Sequence, residues 1–280
     1  MIILSSNQWK CDYNAPAWAA MGEDCSAEAR VPKLVRAYRE IGADILGLQE
    51  TSPHIAELMM DLMRPDGYDY LWGGDTPIVY RADKFSVKTS GFFRFDEAVP
   101  GYPGSFNNQG TKSFTWAVLD ELNTGRRLAV CSVHLWYMTG NPERKTKPYQ
   151  AYSAEARAYQ ITLACRKMDE VCAEFGCPGV IMGDFNCSMG SLCLNAALAD
   201  GWQEVHDVSR GDRAESKGHH FCKAAGYKHE EPGVFAHAID HMLIKFGGTV
   251  NHFRRFMPTW FDNVSDHYPL YIDYDPEETQ

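Results

Sequence analysis

The segment GVIMGDFNCS, residues 179 to 188, places a carboxylate and a carboxamide, Asp184 and Asn186, two residues apart at the end of an apolar run. In an extended chain residues i and i+2 project to the same side. Asp184 and Asn186 then face one way and Phe185 the other, and the pair can hold a phosphoryl group and a water. Gly, Asp and Asn also favour turns, so this segment alone is equally a plain turn. Other apolar runs end alike. Ile2 to Ser5 leads to Asn7, Ile45 to Leu48 to Glu50, and Leu128 to Val133 to His134. Ala238-Ile239 meets Asp240, and Asp266-His267 precedes the last run. Taken singly, Glu50 is a solvated terminus, His134 a satisfied core histidine and Asp266 a turn residue. Six such endings together point to a site, because buried carboxylates are costly unless paired or metal-bound. Glu50 and Asp266 offer hard oxygens that suit Mg²⁺ or Mn²⁺ rather than zinc. A histidine beside an acid suits a general base or a transition-state donor.

The elements that must carry these residues follow from the apolar spacing. SAEARVPKLVRAYREIG has helical periodicity, with Ser26 as N-cap and Gly42 as stop. ADILGLQE is a buried strand, and SPHIAELMMDLM opens a second helix on Ser-Pro. The first third therefore reads strand, helix, strand, helix. TPIVYR, FSVKTSGFFRF, KSFTWAVLDE and RRLAVCSVHLW read as strands, with LNTGRR as a hairpin turn. AYSAEARAYQITLACRKMDEVCAEFG is a long helix stopped at Gly176 and Pro178. GVIMGD is a strand, GSLCLNAALADG a short helix, and HAIDHMLIK and SDHYPLYIDYD two final strands. Helices separating groups of strands predict a four-layer α/β sandwich, with two mostly antiparallel β-sheets face to face and helices outside.

Composition narrows the function classes. The chain has 280 residues, 45% of them apolar, with no linker or repeat, so residues 1–280 are expected to form a single catalytic domain. The formal charge of −10 disfavours a protein that lives on nucleic-acid phosphates. Nine scattered cysteines without C-x-x-C argue against structural zinc and for free thiols in a cytoplasmic protein, with no disulfide. The opening MIILSSNQWK is too short an apolar run for a signal peptide, and no run is long enough to span a bilayer. G-x-S-x-G, the Walker A loop, G-x-G-x-x-G and H-E-x-x-H are absent.

The ordered set SSNQW, ADILGLQE, TPIVYRADKF, SVHL, MGDFN, AIDHMLI and SDHYPL resembles the endonuclease/exonuclease/phosphatase superfamily from residue 3 to 272. TWAVLDELNTGRRLAVCSVHL and AEARAYQ are similar to its small bacterial metal-dependent hydrolases. The resemblance implies a two-sheet sandwich and divalent-metal hydrolysis of a phosphomonoester or phosphodiester by in-line attack of water. It implies Glu50 as the principal metal ligand, with Asn7 and Asp266 beside it. Asp184 would orient or deprotonate the water, and Asn186 would hold the scissile phosphate. His267 would contact that phosphate, with Asp240 fixing its tautomer. His134 would stabilise the transition state, and Arg157 would support the phosphate site.

The sequence also departs from that pattern. His134 follows Val133 where many members have Thr, and His241 stands where an aromatic is usual. The long interval before Arg157 implies an inserted loop carrying Arg144, Lys145 and Lys147, and GHHFCKAAGYKHEEPG, with His219, His220 and His229, is unusual. The acidic charge favours a small phosphorylated metabolite such as a sugar or inositol phosphate. A nuclease or nucleotide phosphodiesterase is the runner-up, and a lipid phosphodiesterase is less favoured. A catalytically inactive binding module on the same fold is the alternative of another class.

Overall fold

A computed structural model describes residues 1–10, 19–20, 22–144, 148–215 and 235–276. Two six-stranded sheets carry the chain. The first is ordered β11-β12-β1-β2-β4-β3, and the second β5-β6-β7-β8-β10-β9. Their strands are β1 (Ile2–Asn7), β2 (Ile45–Gln49), β3 (Tyr68–Leu71), β4 (Ile78–Arg81), β5 (Phe85–Arg94) and β6 (Ser113–Glu121). They continue as β7 (Arg127–His134), β8 (Gly179–Asp184), β9 (Gln203–Glu204), β10 (Asp240–Lys245), β11 (Thr249–Arg255) and β12 (Leu270–Asp275). Among the described strands only β1–β2 and β7–β8 pair in parallel; the other neighbours run antiparallel.

The strand alternation builds the layers. Ile3, Ile45, Val130, Val180 and Met182 share one core between the sheets. Their neighbours point the other way. Leu4, Leu46 and Leu48 pack with α1 (Ala27–Ile41) and α2 (Pro53–Met63). Cys131, Val133 and Ile181 pack with α3 (Ser153–Phe175) and α4 (Leu192–Ala199). The result is the four-layer α/β sandwich expected from the sequence. The sheets approach closely at Gly47, where an added Cβ would lie 2.7 Å from Met182 Cγ.

The helix ends fall where local chemistry puts them. Ser26 Oγ accepts from Ala29 N at 3.3 Å, and Gly42 closes α1 in the left-handed conformation. Ser52 Oγ accepts from Ile55 N at the start of α2, with Pro53 in the first turn. Three strands, β3, β9 and β11, are additional to the sequence reading. β11 stands between the two strands expected at the C-terminal end and pairs with β12. Gly247-Gly248 and the polar residues Asn251, His252, Arg254 and Arg255 hide its alternation. HAIDHMLIK and SDHYPLYIDYD are strands only from Asp240 and Leu270 onward, so Asp266 and His267 lie in the loop before β12. Arg144 is exposed; Lys145, Lys147, His219, His220 and His229 lie outside the described residues. Six described cysteines, Cys131, Cys165, Cys172, Cys177, Cys187 and Cys193, are free thiols, and no described helix is long and apolar enough to cross a membrane.

Candidate active site

Sheet register collects the polar strand ends. In the second sheet Ser113, His134, Asp184 and Asp240 form one row across β6, β7, β8 and β10. In the first sheet Asn7 stands opposite Gln49, so Glu50 follows at the same edge. β12 runs antiparallel to β1, which brings the preceding Asp266-His267 loop there too. β1 and β2 face β7 and β8, and the two rows of polar groups meet. Ser265 Oγ donates to Asn7 O at 2.7 Å and accepts from His267 N at 3.2 Å, tying that loop to β1.

The meeting point is dense in acids. Asn7 Nδ2 bridges Glu50 Oε1 at 3.3 Å and Asp184 Oδ2 at 3.1 Å, one from each sheet. Glu50 Oε2 accepts from Lys10 N at 2.8 Å. His134 Nε2 lies 3.4 Å from Asp184 Oδ2 and 3.9 Å from Glu50 Oε1. His267 Nε2 lies 3.9 Å from both Asp184 Oδ2 and Asp266 Oδ1, while its Nδ1 is 2.9 Å from Asp240 Oδ2. Trp9, Glu50 and Asn186 all have left-handed backbone, with φ of 56°, 56° and 52°. Such conformations cost free energy in residues other than glycine and concentrate at functional sites.

Asp184 and Asn186 differ from the extended i, i+2 pair. β8 ends at Asp184, and Asn186 turns into the left-handed region, so its backbone N donates to Asp184 Oδ1 at 2.9 Å. Phe185 is fully buried behind them, and Asn186 Nδ2 donates to Leu135 O at 3.2 Å. Arg157 donates through Nη1 to Trp136 O and Met138 O, at 3.1 and 2.7 Å, bracing the segment after β7.

Burial and crowding perturb the titrations. Desolvation raises the Asp184 carboxyl, and Asp240 adds to the effect. Desolvation with the nearby Glu50 and Asp184 charges lifts Asp266 to about 7. Burial opposes protonation of His267, but Asp240, with Asp266 and Asp184 beyond, raises it to about 10. Burial and the Lys112 cation hold His134 well below the ordinary imidazole value.

These acids fit a hard divalent cation. Ligand atoms of Glu50, His134 and Asp184 lie within 4.8 Å of one another. Among the described residues the buried Asp266 Oδ1 has no hydrogen-bond partner, and a buried carboxylate oxygen in that condition seeks a proton or a cation. Two further charged residues stand here without having been read from the sequence. Lys112 Nζ hydrogen-bonds His134 Nε2. Arg255 Nη1 lies 3.9 Å from Asp240 Oδ2 and donates to Tyr268 O at 3.0 Å. Lys112 immediately precedes β6, whose N-terminal end meets the C-terminal end of antiparallel β7; searching for polar residues at strand starts as well as ends would have found it. Arg255 closes β11, a strand that was not expected.

Comparison with known proteins agrees with the fold. The model of the endonuclease/exonuclease/phosphatase family matches residues 22–274. No curated protein matches the chain. Among solved structures, an endonuclease/exonuclease/phosphatase family protein from Bacteroides thetaiotaomicron superposes with a TM-score of 0.77 at 18% identity, covering 98% of this chain and 94% of that one. A mannosyl-6-phosphatase from Bacteroides thetaiotaomicron VPI-5482 gives 0.74 at 18% identity, with 98% and 99% covered. D. rerio TDP2 with a single-strand DNA product gives 0.67 at 17% identity, with 98% of each chain covered.

Proposed function

Because this chain belongs to the endonuclease/exonuclease/phosphatase family, whose members are phosphoester-hydrolysing enzymes that use divalent metals, we propose that it hydrolyses a phosphoester of a small phosphorylated metabolite. The observation that carries this reading is the row His134–Asp184–Asp240 facing Asn7 and Glu50 across the sheets, with His267 hydrogen-bonded to Asp240. Residues 1–280 act as one catalytic domain, working in the cytoplasm. Glu50 and Asp266, with Asn7, would hold Mg²⁺ or Mn²⁺, which supplies Lewis-acid stabilisation of phosphate charge.

The protein's own groups divide the remaining work. Asp184, whose carboxyl is raised by burial, orients the water and accepts its proton as the new O–P bond forms. The ester O–P bond opposite breaks, and the leaving alkoxide takes a proton from solvent. Asp240 accepts from His267 Nδ1, leaving Nε2 to donate to a non-bridging phosphate oxygen. Asn186 positions the phosphate, His134 stands beside the charge that develops on it, and Arg157 supports the loop that borders it.

The formal charge of −10 supports a small ester over a polynucleotide. The test is a screen of sugar phosphates, inositol phosphates, nucleotides and DNA with Mg²⁺ or Mn²⁺ added. Turnover of one small-ester class, lost in Glu50→Ala and only weakly sensitive to salt, is expected. Binding to a phosphate backbone falls steeply with salt, so DNA cleavage with that dependence would replace the metabolite by nucleic acid. No cleavage in any class would remove the hydrolase reading.

A further inference from the structure

Lys112 is a buried cation at a site built of acids. It is 5% exposed, and carrying an ammonium out of water is costly unless the group is satisfied. Its Nζ hydrogen-bonds His134 Nε2 and lies 5.5 Å from the centroid of the Tyr137 ring. Among the described residues it makes no salt bridge; burial, with Lys10, lowers its ammonium to about 8, and Glu50, Asp184 and Asp75 oppose that shift.

The backbone around this lysine is held rigidly. Buried Asn107 accepts from Lys112 N at 2.8 Å and donates to Lys112 O at 2.9 Å. The same amide donates to Phe95 O at 2.6 Å, and Phe95 N donates to Lys112 O at 3.0 Å. The clamp sets Lys112 immediately before Ser113, the residue opposite His134 in the sheet.

The proton inventory assigns the donor. An ammonium has three donors and no acceptor, so His134 Nε2 accepts in the Lys112–His134 hydrogen bond. The ring proton of a neutral His134 then sits on Nδ1, which is buried and has no partner among the described residues. His134 Nε2 is the nitrogen that faces Asp184 and Glu50. In this tautomer it offers no proton there. The available N–H groups on that side belong to Lys112, whose two further protons are not used by any described residue.

Resting on the phosphoester reading above, we propose that Lys112 is a catalytic residue that donates hydrogen bonds to non-bridging oxygens of the substrate phosphoryl group, with His134 as the acceptor that aims it. Its charge is then set against the charge that grows on the phosphoryl oxygens as water adds. A purely electrostatic role, in which Lys112 only offsets the acids, makes a different prediction: its removal would tighten cation binding and leave phosphate binding unchanged.

The experiment compares the full-length wild type, Lys112→Met and Lys112→Arg with Mn²⁺ added. Calorimetric titrations measure Mn²⁺ and inorganic phosphate binding, and kcat and KM are measured on the small ester found in the screen. In Lys112→Met, phosphate affinity is expected to fall by about 10-fold or more, the scale of a lost hydrogen bond to a charged group. Its kcat is expected to fall by roughly 10²-fold, with Mn²⁺ binding at least as tight as in the wild type. Lys112→Arg, which keeps the charge and donors, should recover part of both losses. Should Lys112→Met not fold, Lys112→Gln makes the same comparison. Wild-type phosphate affinity in the neutral variant, or no phosphate binding by the wild type, would overturn the proposal. If the wild type hydrolyses no phosphoester while the neutral variant still loses phosphate affinity, the hydrolase reading falls and the Lys112 contact stands.

Discussion

Glu204→Gln should change the pH dependence of folding, through a buried pair behind the site. His241, next to Asp240 on β10, is fully buried. Its Nε2 donates to Cys187 O at 2.8 Å, and its Nδ1 lies 3.5 Å from Glu204 Oε2 on β9. The rings of Phe185 and Phe235 cover it, so the groups that face it and titrate are Glu204 and the Cys187 thiol. Burial works against the imidazolium, but Glu204, helped by Cys187, raises it from 6.5 to about 9. A folded-state value above the unfolded one stabilises the protein fully below pH 6.5. That stability is lost as pH rises through about 9. The difference of about 2.5 units corresponds to about 3 kcal/mol.

Glu204→Gln leaves the imidazole buried without its acid. It should cost about 3–5 kcal/mol near pH 6, the scale of breaking one side of a buried pair. It should also flatten the fall between pH 6.5 and 9, because the ring is then neutral in the folded state throughout that window. Urea unfolding of both proteins at half-unit steps from pH 6 to 9.5 measures this. Parallel stability curves for wild type and variant would refute the assignment of the charge to His241. The consequence reaches the site, because Cys187 O, to which His241 donates, follows Asn186 directly in the chain.

Asp240→Asn and His267→Ala should each lower turnover by roughly 10²-fold, and the double variant should be little worse than the worse single; multiplicative losses in kcat would show that the two act separately. Glu50→Gln should weaken Mn²⁺ binding by at least about 10-fold in calorimetry while leaving the melting temperature nearly unchanged or higher, since a charge leaves an acidic cluster; unaltered binding would move the cation elsewhere. Gly183 has φ of 155°, and a Cβ there would lie 1.9 Å from Val133 O. Gly183→Ala should therefore destabilise the protein by about 2 kcal/mol or more in urea unfolding by forcing β7 from β8, and a neutral effect would mean the strands separate freely.

Helix limits, the main strands and the polar strand ends were legible in the sequence because each has a short-range cause. Ser26 and Gly42 bound α1 through hydrogen bonds within a few residues, and alternation alone sorted Ile3 from Leu4 and Val180 from Ile181. The family motifs likewise carry Asn7, Glu50, His134, Asp184, Asp240 and His267 within short local patterns. What stayed hidden is long-range. Register across two pairings aligns His134, Asp184 and Asp240, and no local pattern encodes which residues stand opposite in strands separated by tens of positions. β11 lacks clean apolar alternation because its register against β12 shifts between Val250 and His252, so Val250 and Phe253, three positions apart, both enter the core, and with it Arg255 was missed. Lys112 is an ordinary surface residue by type, and only the antiparallel return of β6 against β7 and the Asn107 clamp bury it beside His134. The sequence by itself determined which chemical groups the protein owns and at which strand ends. The tertiary structure decided which of them share one space, because burial and charge proximity are properties of packed sheets rather than of neighbours along the chain.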